Sequence, residues 1–515
     1  MALKMKNVTL LFYTAPSKSS CASRKCQILD TNYSTIRPNV EKRQQKTSDK
    51  LKSAIEKSRR MVWAKMYVDG IPGLVIAVSV DGKITWEHGF GYTDVENRVL
   101  ANSNTVMRIG SISKSITVAA AGKLIEDGLL NLDKPVSQYV EAWPKHHPPI
   151  TTRQLMSHTS GIRHYNRNKP NENENNSKNI DSIEFQSKAT LNVENSSNKN
   201  SDTQVVNDEI PESNPDKGYK KYDERYIDKR FSSVTESLGL FKNDPLLHEP
   251  GSKFHYTTHG FTLLSAVIEA VTGLKFEEYI RTIFKVLGLS NTSLDENATI
   301  IYNGSKYYFR DENRGLINAP NVDNSCKLAG GGFLSNVTDL VKFGNAMITT
   351  SPKGFLKKET VQMLWYPVVH YSPSSPRKKL MVLSNINDKA YYGMGWFIMN
   401  PPSRYTSCKD QRFFVCHTGG AIGATSVLLI LPKDIPIKHE PLVNSGAKYT
   451  AKHNEKNIDA PEQRHSSLSE GVVVSIICNT SNVGMTKLAL DIAKVFETLR
   501  PAAGHPYQAQ EVYQS

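Results

Sequence analysis

Two short, nearly all-apolar runs stand at opposite ends of this chain: Leu74 to Val80, broken only by Ser79, and Val472 to Cys478, broken only by Ser475. Runs of that length, rich in β-branched residues, suit strands buried on both faces of a sheet. Asp81-Gly82 after the first run, followed by alternating Ile84, Trp86, His88 and Phe90, is a hairpin signal, and it makes His88 a strand residue and not a ligand. Further strands are expected at Met394 to Met399, Arg412 to His417 and Ser426 to Leu431. Helical spacing marks Leu51, Ile55, Val62 and Met66, then Phe261 to Val271, Leu340 to Met347, and Met485 to Phe496. Strands at both ends with mainly helical material between them imply one sheet built from both termini, with a helical unit inserted into it. No internal repeat is visible.

The length of 515 residues and a hydrophobic share of 39% permit one large core or two. Asn166 to Arg230 is crowded with Asn, Ser, Lys and Glu and cannot offset its ordering entropy, so it is expected to be a disordered insertion. Ile435 to Glu470 is a second polar interruption. A folded unit is expected over residues 46–500, between a basic segment, 1–45, and a tail, 501–515. The net charge of +14 is an overall bias without a basic amphipathic run, so nucleic acid is not an expected partner. Through Val40 the chain is Ser-rich, with Asp30 as its only acid. A mitochondrial transit peptide and an ordinary disordered basic tail both fit that bias. Val8 to Tyr13 is far shorter than the ~18 apolar residues of a membrane span. The six cysteines, Cys21, Cys26, Cys408 and Cys416 among them, lack zinc-site spacing and read as free or buried thiols. His146-His147 and His158 form no ligand set either, so no metal and no organic cofactor is expected.

Residues from Ser111 to Gly128 form an Ala-rich pattern that is apolar nearly all round, hence a buried helix, yet it opens on Ser111, Ser113 and Lys114. Ser111 and Lys114 sit three apart, on one helix face. A hydroxyl becomes nucleophilic when a neighbouring base takes its proton, and a lysine in a dry site has its pKa lowered toward that task. A helix N-terminus also supplies N–H groups for a developing oxyanion. Alone, the pair is a weak signal and reads more readily as a capping Ser beside a solvated Lys. Tyr256-Thr257-Thr258 precedes an apolar helix, and its phenol is suited to relaying a proton beside a lysine. His417-Thr418-Gly419-Gly420 ends a strand with small residues that would let a substrate backbone approach. A buried satisfied Tyr and a Gly-rich turn are the plainer readings of these two segments.

Ser-Ile-Ser-Lys at 111–114, Tyr-Thr-Thr at 256–258 and His-Thr-Gly at 417–419 occur in the order of the motifs of the serine β-lactamase and penicillin-binding-protein superfamily, which the chain resembles. Leu-Met-Ser-His-Thr-Ser-Gly-Ile at 155–162, Ala-Gly-Gly-Gly-Phe-Leu-Ser at 329–335 and Tyr-Gly-Met-Gly-Trp at 392–396 look like its class C branch. Met107 to Ile116, Ser160 to Tyr165, Leu240 to Leu246 and His417 to Ala424 are similar to its animal mitochondrial members. The resemblance implies an α+β fold, an antiparallel sheet flanked by helices with an inserted mostly helical region. It implies Ser111 as acylated nucleophile, Lys114 as its proton acceptor, and Tyr256 as helper in that transfer and donor to the leaving group. The N–H groups of Ser111 and Gly420 would form the oxyanion hole, and His417, Thr418, Gly419 and Thr258 would line the substrate.

Two departures stand out. Thr258 replaces an Asn that could hold a substrate amide, and His417 replaces a permanently charged Lys that helps hold a carboxylate. Efficient β-lactam hydrolysis is therefore not expected, whereas acyl transfer is untouched. The resemblance also implies a peptidase of the mitochondrial intermembrane space, a peptide or protein substrate, assembly into filaments, contact with a mitochondrial membrane surface and an influence on lipid metabolism. A filament-forming scaffold with slow catalysis and a carboxylesterase are the rival readings.

Overall fold

The computed structural model describes residues 37–166, 223–311, 313, 315–349, 354–371, 389–399, 412–433 and 470–500. The chain divides into two units, Met1–Lys50 and Leu51–Ser515. Of the first, only the opening of helix α1 (Arg37–Asp69) is described. That helix begins inside the segment 1–45, which the sequence reading assigned to a basic tail. The rest of the tail, the stretch 501–515 and Cys21, Cys26 and Cys408 lie outside the described residues.

The second unit is organised on a nine-stranded antiparallel sheet. Its strands are β1 (Gly73–Val80), β2 (Lys83–Asp94), β3 (Val99–Leu100), β9 (Val369–His370), β10 (Ala390–Tyr392), β11 (Phe397–Met399), β12 (Phe414–Ala421), β13 (Ala424–Pro432) and β14 (Gly471–Cys478). The order is β3-β2-β1-β14-β13-β12-β11-β10-β9, so the two apolar runs from opposite chain ends pair directly, with Leu74 opposite Cys478 and Val80 opposite Val472. Every position of β14 is buried, because helices cover both faces. On one face Leu74, Ile76, Val474 and Ile476 meet α1 and a C-terminal helix, Thr486–Glu497; Trp86 stacks on that helix's Phe496 at 5.9 Å. The buried stripe of α1 runs Ala54, Ser58, Val62, Met66, with Leu51 and Ile55 at its border.

The other face carries the inserted region. It comprises β4 (Met107–Arg108), α2 (Ile112–Glu126), α3 (Thr152–Met156), α4 (Val234–Leu238), α5 (His259–Thr272), α6 (Phe276–Val286), β5 (Ser293–Leu294), β6 (Tyr308–Asp311), β7 (Gly315–Asn318), α7 (Leu328–Gly331), β8 (Phe333–Ser335), α8 (Val337–Ile348) and α9 (Lys358–Leu364). The C-terminal helix is then α10. Helix α2 is buried through Ile112 to Gly122, as its all-round apolarity predicts, and it carries no amphipathic face to place it at a surface. The strand expected over Met394 to Met399 is shorter: Met394, Gly395 and Trp396 form a bend, and only Phe397 onward joins the ladder. No helix among the described residues is long and apolar enough to cross a membrane.

The expected insertion 166–230 is corrected at its edges. Asn166 and residues 223–230 are placed, and Glu224 is buried, its carboxylate taking hydrogen bonds from Arg163 and the Asn166 N–H. Polar composition concealed this because a buried carboxylate needs partners, and Arg163 lies some sixty residues away in sequence. Residues 167–222 and 434–469, the bulk of both expected insertions, lie outside the described residues.

Candidate active site

Gly110 precedes Ser111 in the left-handed region, φ +49°, and a Cβ there would lie 2.7 Å from the Gly420 carbonyl oxygen. Only glycine combines that turn with so close an approach. Ser111 sits at the head of α2, which then runs Ile112 onward, with Ser113 and Lys114 buried within it. Ser113 is structural: its hydroxyl donates to the Gly110 carbonyl at 2.7 Å and accepts the Phe333 N–H.

Lys114 Nζ lies 3.1 Å from Ser111 Oγ and donates to Gly330 O at 2.5 Å and to Thr258 Oγ1 at 3.2 Å. The side chain is wholly buried, and burial holds its pKa well below the ordinary lysine value. No carboxylate pairs with it among the described residues. A neutral amine in this position would give its two protons to Gly330 and Thr258 and turn its lone pair to the Ser111 hydroxyl. Tyr256 hydrogen-bonds to Ser111; burial raises its phenol above the ordinary tyrosine value more than that bond lowers it, so it stays protonated. Its ring packs on His158 at 4.2 Å and beneath Lys114 Nζ at 4.9 Å.

Among the described residues, the backbone bonds at the head of α2 come from the Ile112, Ser113 and Lys114 N–H groups and none from that of Ser111. Across from it, Gly420 pairs with Thr425, whose own N–H turns to Cys478 of β14. Gly420 therefore occupies a non-hydrogen-bonded position of the β12–β13 ladder, and its N–H points out from the strand edge. β11 stops at Cys416, so that edge of β12 is open beyond it. Gly420 is exposed, with nothing within 4 Å of where a Cβ would be.

Three residues expected on the substrate face turn elsewhere. The Thr258 side chain is buried and holds Lys114 and the Tyr165 hydroxyl; its N–H donates to His164 Nδ1 at 3.2 Å. His417 is 1% exposed, Nδ1–H donating to the Thr418 carbonyl at 2.7 Å and Nε2 accepting from the Tyr392 hydroxyl at 3.0 Å. Burial, then the nearby Lys114, push its pKa down to about 3, so it is neutral near pH 7 and cannot replace the charged Lys of the motif. Gly419 admits not a substrate but the chain itself: a Cβ there would lie 2.0 Å from the Ile109 carbonyl oxygen. Thr418 remains half-buried at the strand edge.

Sequence reasoning missed several supports. The Gly330 carbonyl lay inside a quoted Gly-rich motif without any side chain to mark it. Tyr392, Arg163, His164 and Tyr165 also lay in quoted segments, but nothing in their spacing ties them to Lys114. Glu224 gave no signal at all. Burial would raise its pKa, but hydrogen bonds from His259 and Arg163 prevail and hold it at about 2. This carboxylate anchors the start of α5, just after Thr258, to the Arg163 segment.

A serine and a desolvated lysine at the head of a buried helix, set against an antiparallel sheet edge with an outward N–H, define a serine-reactive hydrolase of penicillin-binding-protein-like fold. The sequence profile of the Beta-lactamase family matches residues 59–493, and the chain belongs to that family. It is 39% identical over 470 residues to the human protein named serine beta-lactamase-like protein LACTB, mitochondrial, covering 86% of this chain and 80% of that one. Among solved structures it is similar to the octameric penicillin-binding protein homologue from Pyrococcus abyssi, with 20% identity and a TM-score of 0.58 over 86% of this chain and 77% of that one. It is also similar to the D-amino acid amidase from Ochrobactrum anthropi, with 18% identity and a TM-score of 0.57 over 87% and 99%.

Proposed function

We propose that the protein is a mitochondrial serine peptidase acting through an acyl-enzyme on Ser111. The observation that carries the reading is Lys114: a buried amine 3.1 Å from Ser111 Oγ, with two other acceptors for its protons and a lowered pKa. Lys114 takes the hydroxyl proton as Ser111 attacks a carbonyl, and the C–O bond forms while the N–H groups of Ser111 and Gly420 receive the oxyanion. Tyr256, kept as a neutral phenol, passes the proton to the leaving amine, the carbonyl–nitrogen bond breaks, and water releases the acyl group. Thr418 and the exposed Gly420 edge line the substrate. Neutral His417 offers no fixed charge for a terminal carboxylate, which favours internal peptide bonds over β-lactams or peptide ends.

An ester substrate is the second reading, favoured by the inward turn of Thr258, which leaves no side-chain amide in that motif to hold a substrate amide. The relative named as mitochondrial supports that location, and we place the protein in the intermembrane space, self-assembled into filaments at a membrane surface, with an effect on lipid metabolism. The decisive test is intact mass after incubation with a fluorophosphonate, beside Ser111→Ala. One adduct on Ser111, lost in the variant, is expected; no adduct on folded protein would shift the role to a scaffold. Internal peptides, D-Ala-terminated peptides and p-nitrophenyl esters then separate the substrate classes. Electron micrographs of the purified protein and submitochondrial fractionation check assembly and location.

A further inference from the structure

Behind the two oxyanion donors lies a buried ion pair that the reaction does not consume. Arg108, the last residue of β4, donates from Nε to Asp295 Oδ2 at 2.7 Å and from Nη1 to the Ile422 carbonyl at 3.0 Å. Its guanidinium carbon rests 4.4 Å over the ring of Tyr307, whose hydroxyl accepts the Arg108 N–H at 3.0 Å. Both charged side chains are about nine-tenths buried. Arg108 is three residues before Ser111, and Ile422 is two residues after Gly420. One planar side chain thus links the segment leading to Ser111 with the turn that follows Gly420.

Asp295 extends the connection. It accepts from the Asn324 side chain, and its N–H donates to the Gly332 carbonyl at 2.8 Å. Asn324 and Gly332 flank α7, which holds the Gly330 carbonyl against Lys114. The turn itself has a second tether, since Gly423 N donates to Ser481 Oγ at 2.8 Å and Ser481 donates back to the Ala421 carbonyl at 3.0 Å. The Ile422 carbonyl between them is taken by Arg108. A guanidinium satisfies two acceptors in fixed directions at once; an ammonium is a point charge and cannot hold both with that geometry.

We propose that Arg108, braced by Asp295, is a positioning residue that sets the distance and angle between the Ser111 and Gly420 N–H groups, and so the depth of the oxyanion hole. The proposal rests on the acyl-enzyme reading above. Its effect falls on states with a tetrahedral centre and a charged oxygen, where donor alignment matters most; the Arg108 hydrogen bonds run to Tyr307, Asp295 and Ile422 and not to Lys114.

The test compares wild-type full-length protein with Arg108→Lys and Asp295→Asn, which keep charge or shape. Three quantities are read: the rate of Ser111 labelling by a fluorophosphonate, its pH profile, and the Kd of phenylboronic acid, which forms a tetrahedral adduct on a reactive serine. In the labelling step the Ser111 oxygen–phosphorus bond forms, fluoride leaves with its electron pair, and the proton passes to Lys114. Removing an oxyanion donor outright lowers rates about 10²–10³-fold, so misaligning one is expected to slow labelling about tenfold and to weaken the boronate by a similar factor. The midpoint of the pH profile should stay in place. A labelling rate equal to wild type in folded variants overturns the proposal. A shifted midpoint with full boronate affinity also overturns it, since the pair would then act through Lys114. Unfolding of both variants makes the pair a folding element and overturns it too. Wild-type protein that acquires no Ser111 adduct instead removes the underlying catalytic reading.

Discussion

At Lys114 the chemistry follows from desolvation: a charged ammonium with no carboxylate partner is disfavoured in the interior, so the amine is neutral at lower pH than in water. Acylation of Ser111 is therefore expected to rise with pH through the lowered Lys114 pKa. Lys114→Ala should reduce it about 10²–10⁴-fold, as the loss of a general base does. Stopped-time labelling across pH checks both statements. His417 has its consequence for stability. Its folded pKa of about 3 lies below the roughly 6.5 of an unfolded histidine, so the unfolded chain binds more protons between those values. The stability it contributes is complete above pH 6.5 and is lost as pH falls toward 3. Urea midpoints at pH 7 and pH 4.5 should draw closer in His417→Asn than in wild type. An unchanged difference would mean that His417 is not held neutral by burial. Ser111 and Lys114 were legible in the sequence because their spacing of three on a buried helix opens the motif order that Tyr256 and His417 continue. The inward turn of Thr258 and His417 was not, since motif position gives a residue's place on the backbone and not which neighbours its side chain finds.

Between elements, β12 packs closely on the loop entering α2 at Ile109 and Gly110. A Cβ at Gly419 would lie 2.0 Å from the Ile109 carbonyl oxygen, whereas one at Gly420 meets nothing within 4 Å. Gly419→Ala is expected to lose about 1–3 kcal/mol by overpacking, together with Ser111 labelling, while Gly420→Ala should keep its melting temperature. Equal melting temperatures for the two variants would contradict the packing argument. Helices α1, α2, α5, α8 and α10 were legible as elements because their apolar spacing is local. Glu224 was not, because its short segment after a long polar stretch is held by residues distant in sequence, Arg163 and His259 among them. Breaking a buried pair by removing one partner costs about 3–5 kcal/mol, so Glu224→Gln should lower the urea midpoint accordingly. A deletion of Lys169 to Lys217 spares that carboxylate, and one extended through Arg225 removes it. Their melting temperatures are expected to differ in the same direction as the Glu224→Gln change.

Over the whole molecule, the sheet joins strands from both chain ends, and β14 lies between β1 and β13 with every residue buried. A chain ending before Gly471 would expose both neighbouring edges and one side of each core. It is expected to be recovered unfolded or aggregated, as judged by circular dichroism and gel filtration. The sequence by itself determined the central strands β1, β2, β12, β13 and β14, the buried helix α2 and the spacing of Ser111 and Lys114 on it, because each rests on periodicity or spacing within one element, and the order of the three motifs, which is read directly along the chain. Only the tertiary structure decided that the Gly330 carbonyl accepts from Lys114, that His417 is buried and neutral, that Gly419 serves packing while Gly420 faces outward, and that Arg108 bridges Asp295 and the Ile422 carbonyl. Those outcomes depend on desolvation and on contacts between residues tens to hundreds of positions apart, and neither quantity is written along the chain.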